Sequence, residues 1–122
     1  MELQRNSDNY MIVQEIDAEI ARSFKSRLIG LMFTTNIRTL YFPNVKSIHS
    51  FFCKKEIAIF HLDRNNVVID KYIIKPYRLG KFVKGTQHIL EGNVDLYNRI
   101  EKGTVLKLNI INNKGGMLNE RR

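Results

Sequence analysis

Polar and apolar residues alternate with a period of two over residues 11–21. Ile12, Ile16, Ala18 and Ile20 take even positions, Glu15, Asp17 and Glu19 odd ones, and Gln14 interrupts the pattern. Successive side chains of a strand point to opposite faces, so this segment is expected to be a half-buried strand. The ten residues before it, MELQRNSDNY, have no period and are expected to form a loose arm. After Ser23, a residue suited to cap a helix, Phe24, Leu28, Leu31 and Met32 recur at helical spacing and predict a short helix over 24–31. Gly30 sits in its last turn for a backbone or packing reason.

Five further strands are expected over 39–42, 47–53, 57–62, 67–74 and 86–90. The tetrapeptide DRNN, residues 63–66, joins IAIFHL to VVIDKYII, and Asn tolerates the positive φ of tight turns, which predicts a hairpin. Val94, Leu96, Tyr97 and Ile100 form the apolar stripe of a second short helix, opened by Asn93 and ended by Gly103. VLKLNII, residues 105–111, alternates as a last strand, and residues 112–122 form a fraying tail. Six or seven short strands, without the dozen-residue crossovers that parallel neighbours require, predict a mainly β fold, an antiparallel barrel or sandwich with two short helices. One β-rich domain over 11–111 is the expected organisation.

Composition narrows the picture. The chain has 122 residues, 20 Lys and Arg against 12 Asp and Glu, and a net charge of +8. With 43% hydrophobic residues, 7 Gly and 2 Pro, it is an ordinary globular composition rather than a disordered one. A single cysteine, Cys53, allows no internal disulfide, and the three scattered His residues supply no zinc-finger spacing, so no metal or cofactor is expected. The absence of an apolar run of ~20 residues and of a signal-like core in residues 1–10 makes the cytoplasm, not a membrane, the expected compartment.

Several strings resemble one family. The run over 23–33, ending RLIGLMF, SIHSFFCKKEIAIFHLD over 47–63, KPYR over 75–78 and the strand ending Leu90-Glu91 resemble the domain-of-unknown-function 192 family, also called uncharacterised protein family 0127. The resemblance spans roughly residues 16–108. This chain has Cys53 where the family usually carries Met, and Tyr77 where it carries Trp. The resemblance implies a β-rich barrel or sandwich with short helices, and it carries no catalytic list.

The richest chemistry lies in residues 71–84. Lys71, Lys75, Arg78, Lys81 and Lys84 stand there without an acid, interleaved with Tyr72, Tyr77 and Phe82. Arg offers a planar fork for carboxylate or phosphate, and neighbouring aromatics can stack. The plainer alternative is a solvated loop whose charge aids solubility. His49, Phe51 and Cys53 share one strand face, but residues four apart on a strand lie about 13 Å apart, too far to share an ion. His49 is a core or pocket-wall histidine, or part of a ligand site with Arg78 and Tyr77, to which Arg27 of the first helix would add. His61 and His88 fall within apolar strands and are read as core. Asp63 is expected to cap the hairpin turn.

The sequence therefore points to a non-enzymatic binding module for a small anionic ligand or an acidic partner segment, with candidate residues Arg78, Tyr77, His49 and Arg27 and a basic patch of Lys71, Lys75, Lys81 and Lys84. The competing readings are weak nucleic-acid binding through that patch and an uncharacterised enzyme.

Overall fold

A computed structural model describes residues 2–6, 9–21, 39–50 and 55–111. The expected hairpin organises the middle of the chain. β4 (Ile57–Leu62) and β5 (Val68–Ile74) pair antiparallel around the DRNN turn. Asn66 adopts φ 63°. The Asp63 carboxylate accepts the amides of Asn65 at 2.8 Å and Val67 at 3.0 Å, so the acid holds the turn through its own side chain. All six residues of β4 are fully buried, as a near-continuous apolar strand covered on both faces requires.

β6 (His88–Gly92) pairs antiparallel with the other edge of β4 and also with β3 (Leu40–Phe42). β2 (Asn9–Ile20) then pairs parallel with β3 at Glu19–Leu40 and Ile20–Tyr41, and parallel with β7 (Val105–Ile110) along Val13 to Ala18. β1 (Glu2–Asn6) completes the sheet antiparallel to β2. The strand order is β1-β2-β3-β6-β4-β5, with β7 on the opposite edge of β2. No ladder closes the path into a barrel among the described residues. A single antiparallel bridge joins Val67, just before β5, to Val105 at the start of β7.

The architecture is thus mainly β, as expected, but the sheet is mixed rather than antiparallel. Parallel pairing needs a long return path, and both parallel pairs have one: β2 and β3 are separated by residues 21–39, and β7 returns to β2 only after every other strand has formed. Residues 2–6, read in the sequence as a loose arm, form β1, because β2 offers them a free edge. The stripe of Val94, Leu96, Tyr97 and Ile100 forms not an α-helix but a 3₁₀ turn, Val94–Asn98. Its bonds run over three residues, Leu96 N–H to Asn93 O and Arg99 N–H to Leu96 O, and Asn93 supplies no side-chain cap. Gly103 does take a positive φ of 89°, in the turn that feeds β7. Of the strand expected over 47–53, residues 47–50 contribute only the bridge His49–Leu79. The helix expected over 24–31, with Arg27 and Gly30, lies outside the described residues, as do Cys53 and residues 112–122.

Strand alternation divides the core in two. Ala58, Phe60, Leu62, Tyr41 and Leu90 pack on one face with Ile16, Ala18 and Leu106 of β2 and β7, and with Leu96 and Ile100. Ile57, Ile59, Leu40, Phe42, Ile74 and Ile89 form the other, with Val45, Ile48 and Tyr72 against them. In β2 the expected alternation holds from Ile16 onward, but Ile12 is exposed and Val13 is buried in its place.

Candidate functional site

The second face leads to the site. Just after β5 the chain turns through Pro76 and Tyr77, and Tyr77 takes φ 61°, an unusual conformation for a residue with a Cβ. Ser50, fully buried, holds that turn. Its hydroxyl donates to the Lys75 carbonyl and accepts the Arg78 amide at 2.8 Å, its amide donates to Arg78 O at 2.8 Å, and its carbonyl accepts the Tyr77 amide at 2.9 Å. Two residues on, the Gly80 amide donates to Ile48 O at 2.7 Å. A side chain at Gly80 would place its Cβ 2.7 Å from that carbonyl and 2.8 Å from the Tyr72 hydroxyl, so the close approach requires glycine.

Beneath the turn lies a buried polar chain. His61 is fully buried, with Nδ1 2.8 Å from Thr86 Oγ1 and Nε2 2.9 Å from the Tyr72 hydroxyl. Thr86 donates its hydroxyl hydrogen to Val83 O at 2.7 Å, so it accepts from His61 Nδ1–H. Nε2 is then the lone-pair nitrogen and accepts the Tyr72 O–H, while the Tyr72 oxygen accepts the Lys81 amide at 2.9 Å. Each polar group has a partner only if the imidazole is neutral. Burial lowers the His61 pKa and the Lys81 charge pushes the same way, against Asp70. Burial likewise raises the Tyr72 pKa, with the Lys81 amide acting against it and Asp70 adding to it.

Against this wall opens a cleft of about 310 Å³ lined by Tyr72, Ile73, Ile74, Lys75, Arg78, Leu79 and Lys81. Three cations and no acid face it. Among the described residues no carboxylate forms an ion pair with Lys75, Arg78 or Lys81. The Arg78 guanidinium is exposed and makes only long contacts, 3.5 and 3.4 Å, to the carbonyls of Pro76 and Tyr77. Lys81 lies over the Tyr72 ring, 4.9 Å from its centroid.

Of the residues singled out in the sequence, the cleft therefore unites Arg78, Lys75 and Lys81. Tyr77 stands exposed at the turn outside the lining, Lys84 is exposed beyond it, and half-buried His49 is joined to the site through its bridge to Leu79. Lys71 does not belong to the patch. Strand alternation turns it to the opposite face from Tyr72, where its ammonium donates to Tyr97 O at 2.7 Å, lies 4.2 Å from the Tyr97 ring and 3.5 Å from Glu101. Sequence reasoning missed Ser50 as the pin and His61–Tyr72 as the wall. The second was within reach, since fixing the hairpin register at DRNN sets Tyr72 diagonal to His61 on one face. Among the described residues no group of three or more His, Cys, Asp or Glu is placed to hold a metal ion.

With this geometry in view, the relatives are informative. A UPF0127 protein of Pyrococcus horikoshii is 34% identical over 84 residues, covering 64% of this chain and 73% of that protein. The chain belongs to the uncharacterised protein family 0127. A UPF0127 protein of Pyrococcus abyssi is 31% identical over 84 residues, 64% of this chain and 72% of its own length. A third member of UPF0127, from Thermococcus kodakarensis, is 34% identical over 91 residues, and the match covers 68% of this chain but 57% of that longer protein. No family model matches the chain. A crystal structure of a protein of unknown function from Novosphingobium aromaticivorans shares the fold with a TM-score of 0.53 at 18% identity, over 83% of this chain and 79% of that one.

Proposed function

We propose that this UPF0127 chain is a non-enzymatic binding module that holds an anionic group in the cleft between β5 and the 75–81 turn. The observation that carries the reading is the convergence of Lys75, Arg78 and Lys81 on one cleft whose described lining holds no acid. Surface cations that are paired with neighbouring acids are ordinary, but three that line one cleft and, among the described residues, have no carboxylate partner leave their charge to be met from outside. Arg78 supplies the fork that matches phosphate or carboxylate, Lys75 and Lys81 add point charges, and Leu79 and Tyr72 take an apolar portion of the ligand. The backbone around Arg78 is preorganised by Ser50, which lowers the cost of ordering it on binding.

The test is a calorimetric titration with glycerol 3-phosphate at about 0.15 M salt. Arg78→Ala should weaken binding by tenfold or more, the scale of a lost charged hydrogen bond, and Lys84→Ala by less than twofold. Equal, small losses at every cation, with affinity collapsing as salt rises, would instead support diffuse nucleic-acid attraction.

A further inference from the structure

Beside the cleft stands an unusual amount of exposed apolar surface. Among the described residues eight large hydrophobic side chains are exposed, and three of them, Tyr77, Leu79 and Phe82, fall within six residues of chain. Singly exposed apolar residues need no explanation, but this group is concentrated and far out: Tyr77 is 61% exposed, Leu79 75% and Phe82 79%. Lys75, Arg78, Lys81 and Lys84 are interleaved with them.

The exposure is imposed by the fold. Ser50 fixes the Lys75–Arg78 turn, the Gly80 amide is bonded to Ile48 O, and the Lys81 amide is bonded to the Tyr72 hydroxyl. With the backbone tied at these points, Leu79 and Phe82 do not fold inward to escape water. We propose that this segment docks on an anionic lipid bilayer, with Leu79, Phe82 and Tyr77 entering the interface and the cleft of Lys75, Arg78 and Lys81 taking a phosphate headgroup. This rests on the anion-holding reading of the cleft and names the source of the anion.

Three features favour a lipid surface. Cations beside protruding apolar side chains match, in charge and depth, a layer of phosphates over acyl chains. Leu79 has no π face, so it contributes nothing to stacking on bases, which a single-stranded nucleic acid would demand. Tyr77 and Phe82 stand outside the cleft lining, and a fluid headgroup layer closes around them without the matching pockets that a folded partner must provide. A peripheral contact of this kind needs no spanning segment, and no helix among the described residues is long and apolar enough to be one.

The experiment is co-sedimentation of the full chain with vesicles of phosphatidylcholine containing about one quarter phosphatidylglycerol, at about 0.15 M salt, paired with the glycerol 3-phosphate titration on the same proteins. The wild type should sediment with the anionic vesicles and stay in solution with pure phosphatidylcholine. Lys75→Ala should reduce partitioning about fivefold, the share of one cation near an anionic surface. The double substitution Tyr77→Ser with Phe82→Ser, neither of which lines the cleft, should reduce it tenfold or more while glycerol 3-phosphate binding stays within twofold. Both side chains are exposed, and an unchanged circular dichroism melt confirms that the variant is folded. Vesicle binding that is absent, or indifferent to the double substitution, overturns the inference. If the soluble phosphate still binds in that case, the anion-holding reading stands alone, and if it does not, both fall. Tighter binding to duplex RNA or to a poly-glutamate peptide than to anionic vesicles also overturns the lipid proposal.

Discussion

Lowering the pH should destabilise this protein before its carboxylates begin to titrate, and His61 is the reason. In the fold Nδ1–H is donated to Thr86 and Nε2 accepts from Tyr72, so a second proton on Nε2 would set two donors against each other in a fully buried site. Burial lowers the His61 pKa from 6.5, with Lys81 acting in the same direction and Asp70 against. The unfolded chain therefore binds a proton that the folded chain refuses, and stability rises with pH in this window. It is fully present above about 6.5 and is lost as pH falls from there toward the folded-state value. One proton per molecule sets a ceiling of about 1.4 kcal/mol per pH unit, so stability should fall with decreasing pH below about 6.5, with a His61 contribution to the slope no steeper than that ceiling. Half-buried His88, whose pKa burial also lowers, adds a smaller contribution of the same sign. Urea denaturation at half-unit pH steps measures the slope, and His61→Asn should abolish most of it. A wild-type slope no steeper than that of His61→Asn would refute the neutral, doubly bonded histidine.

Other consequences are direct. Gly80→Ala would drive a Cβ into the Ile48 carbonyl and should cost about 1–3 kcal/mol by thermal or chemical denaturation, since the obstacle is backbone; an unchanged melt would mean that the 48–50 and 78–80 segments are not so close. Asp63→Ala removes the carboxylate oxygen that accepts two backbone amides in the hairpin turn and should destabilise by about 1–2 kcal/mol, read from the urea midpoint. Lys71→Ala should leave glycerol 3-phosphate binding within twofold of wild type, because its ammonium is engaged on the opposite face with Tyr97; a tenfold loss would restore Lys71 to the site.

What could be read from the chain followed from local rules. The DRNN hairpin depends on residues four apart and on the tolerance of Asn for positive φ, so both strands and the turn were legible, down to the Asp63 bonds. The last strand was legible because Lys107 and Asn109 alternate with Leu106, Leu108 and Ile110. The partners of β2 were not. Whether it pairs with β3 and β7 in parallel is decided by how the whole sheet wraps, which no window of ten residues contains. β1 escaped for the opposite reason: its strand is defined by the edge it meets rather than by its own hydrophobicity. At the site, composition announced the cations, and pairing decided which of them converge. Lys71 lies within β5 and Lys75 just past its end, where the chain has left the strand's alternation, and that places one against Tyr97 and the other in the cleft. Ser50 carried no signal, because a serine becomes a pin only once another segment is laid against it.

The claim that the Lys75–Lys81 cleft holds an anion is tested most directly by titrating the ¹⁵N-labelled protein with glycerol 3-phosphate and following each amide resonance. Saturable shifts centred on Lys75, Arg78, Leu79 and Lys81, with the amides of Lys84, Lys102 and Lys107 little changed, are the expected result. Unsaturable shifts scattered over all the exposed lysines, or none at the cleft, would contradict it.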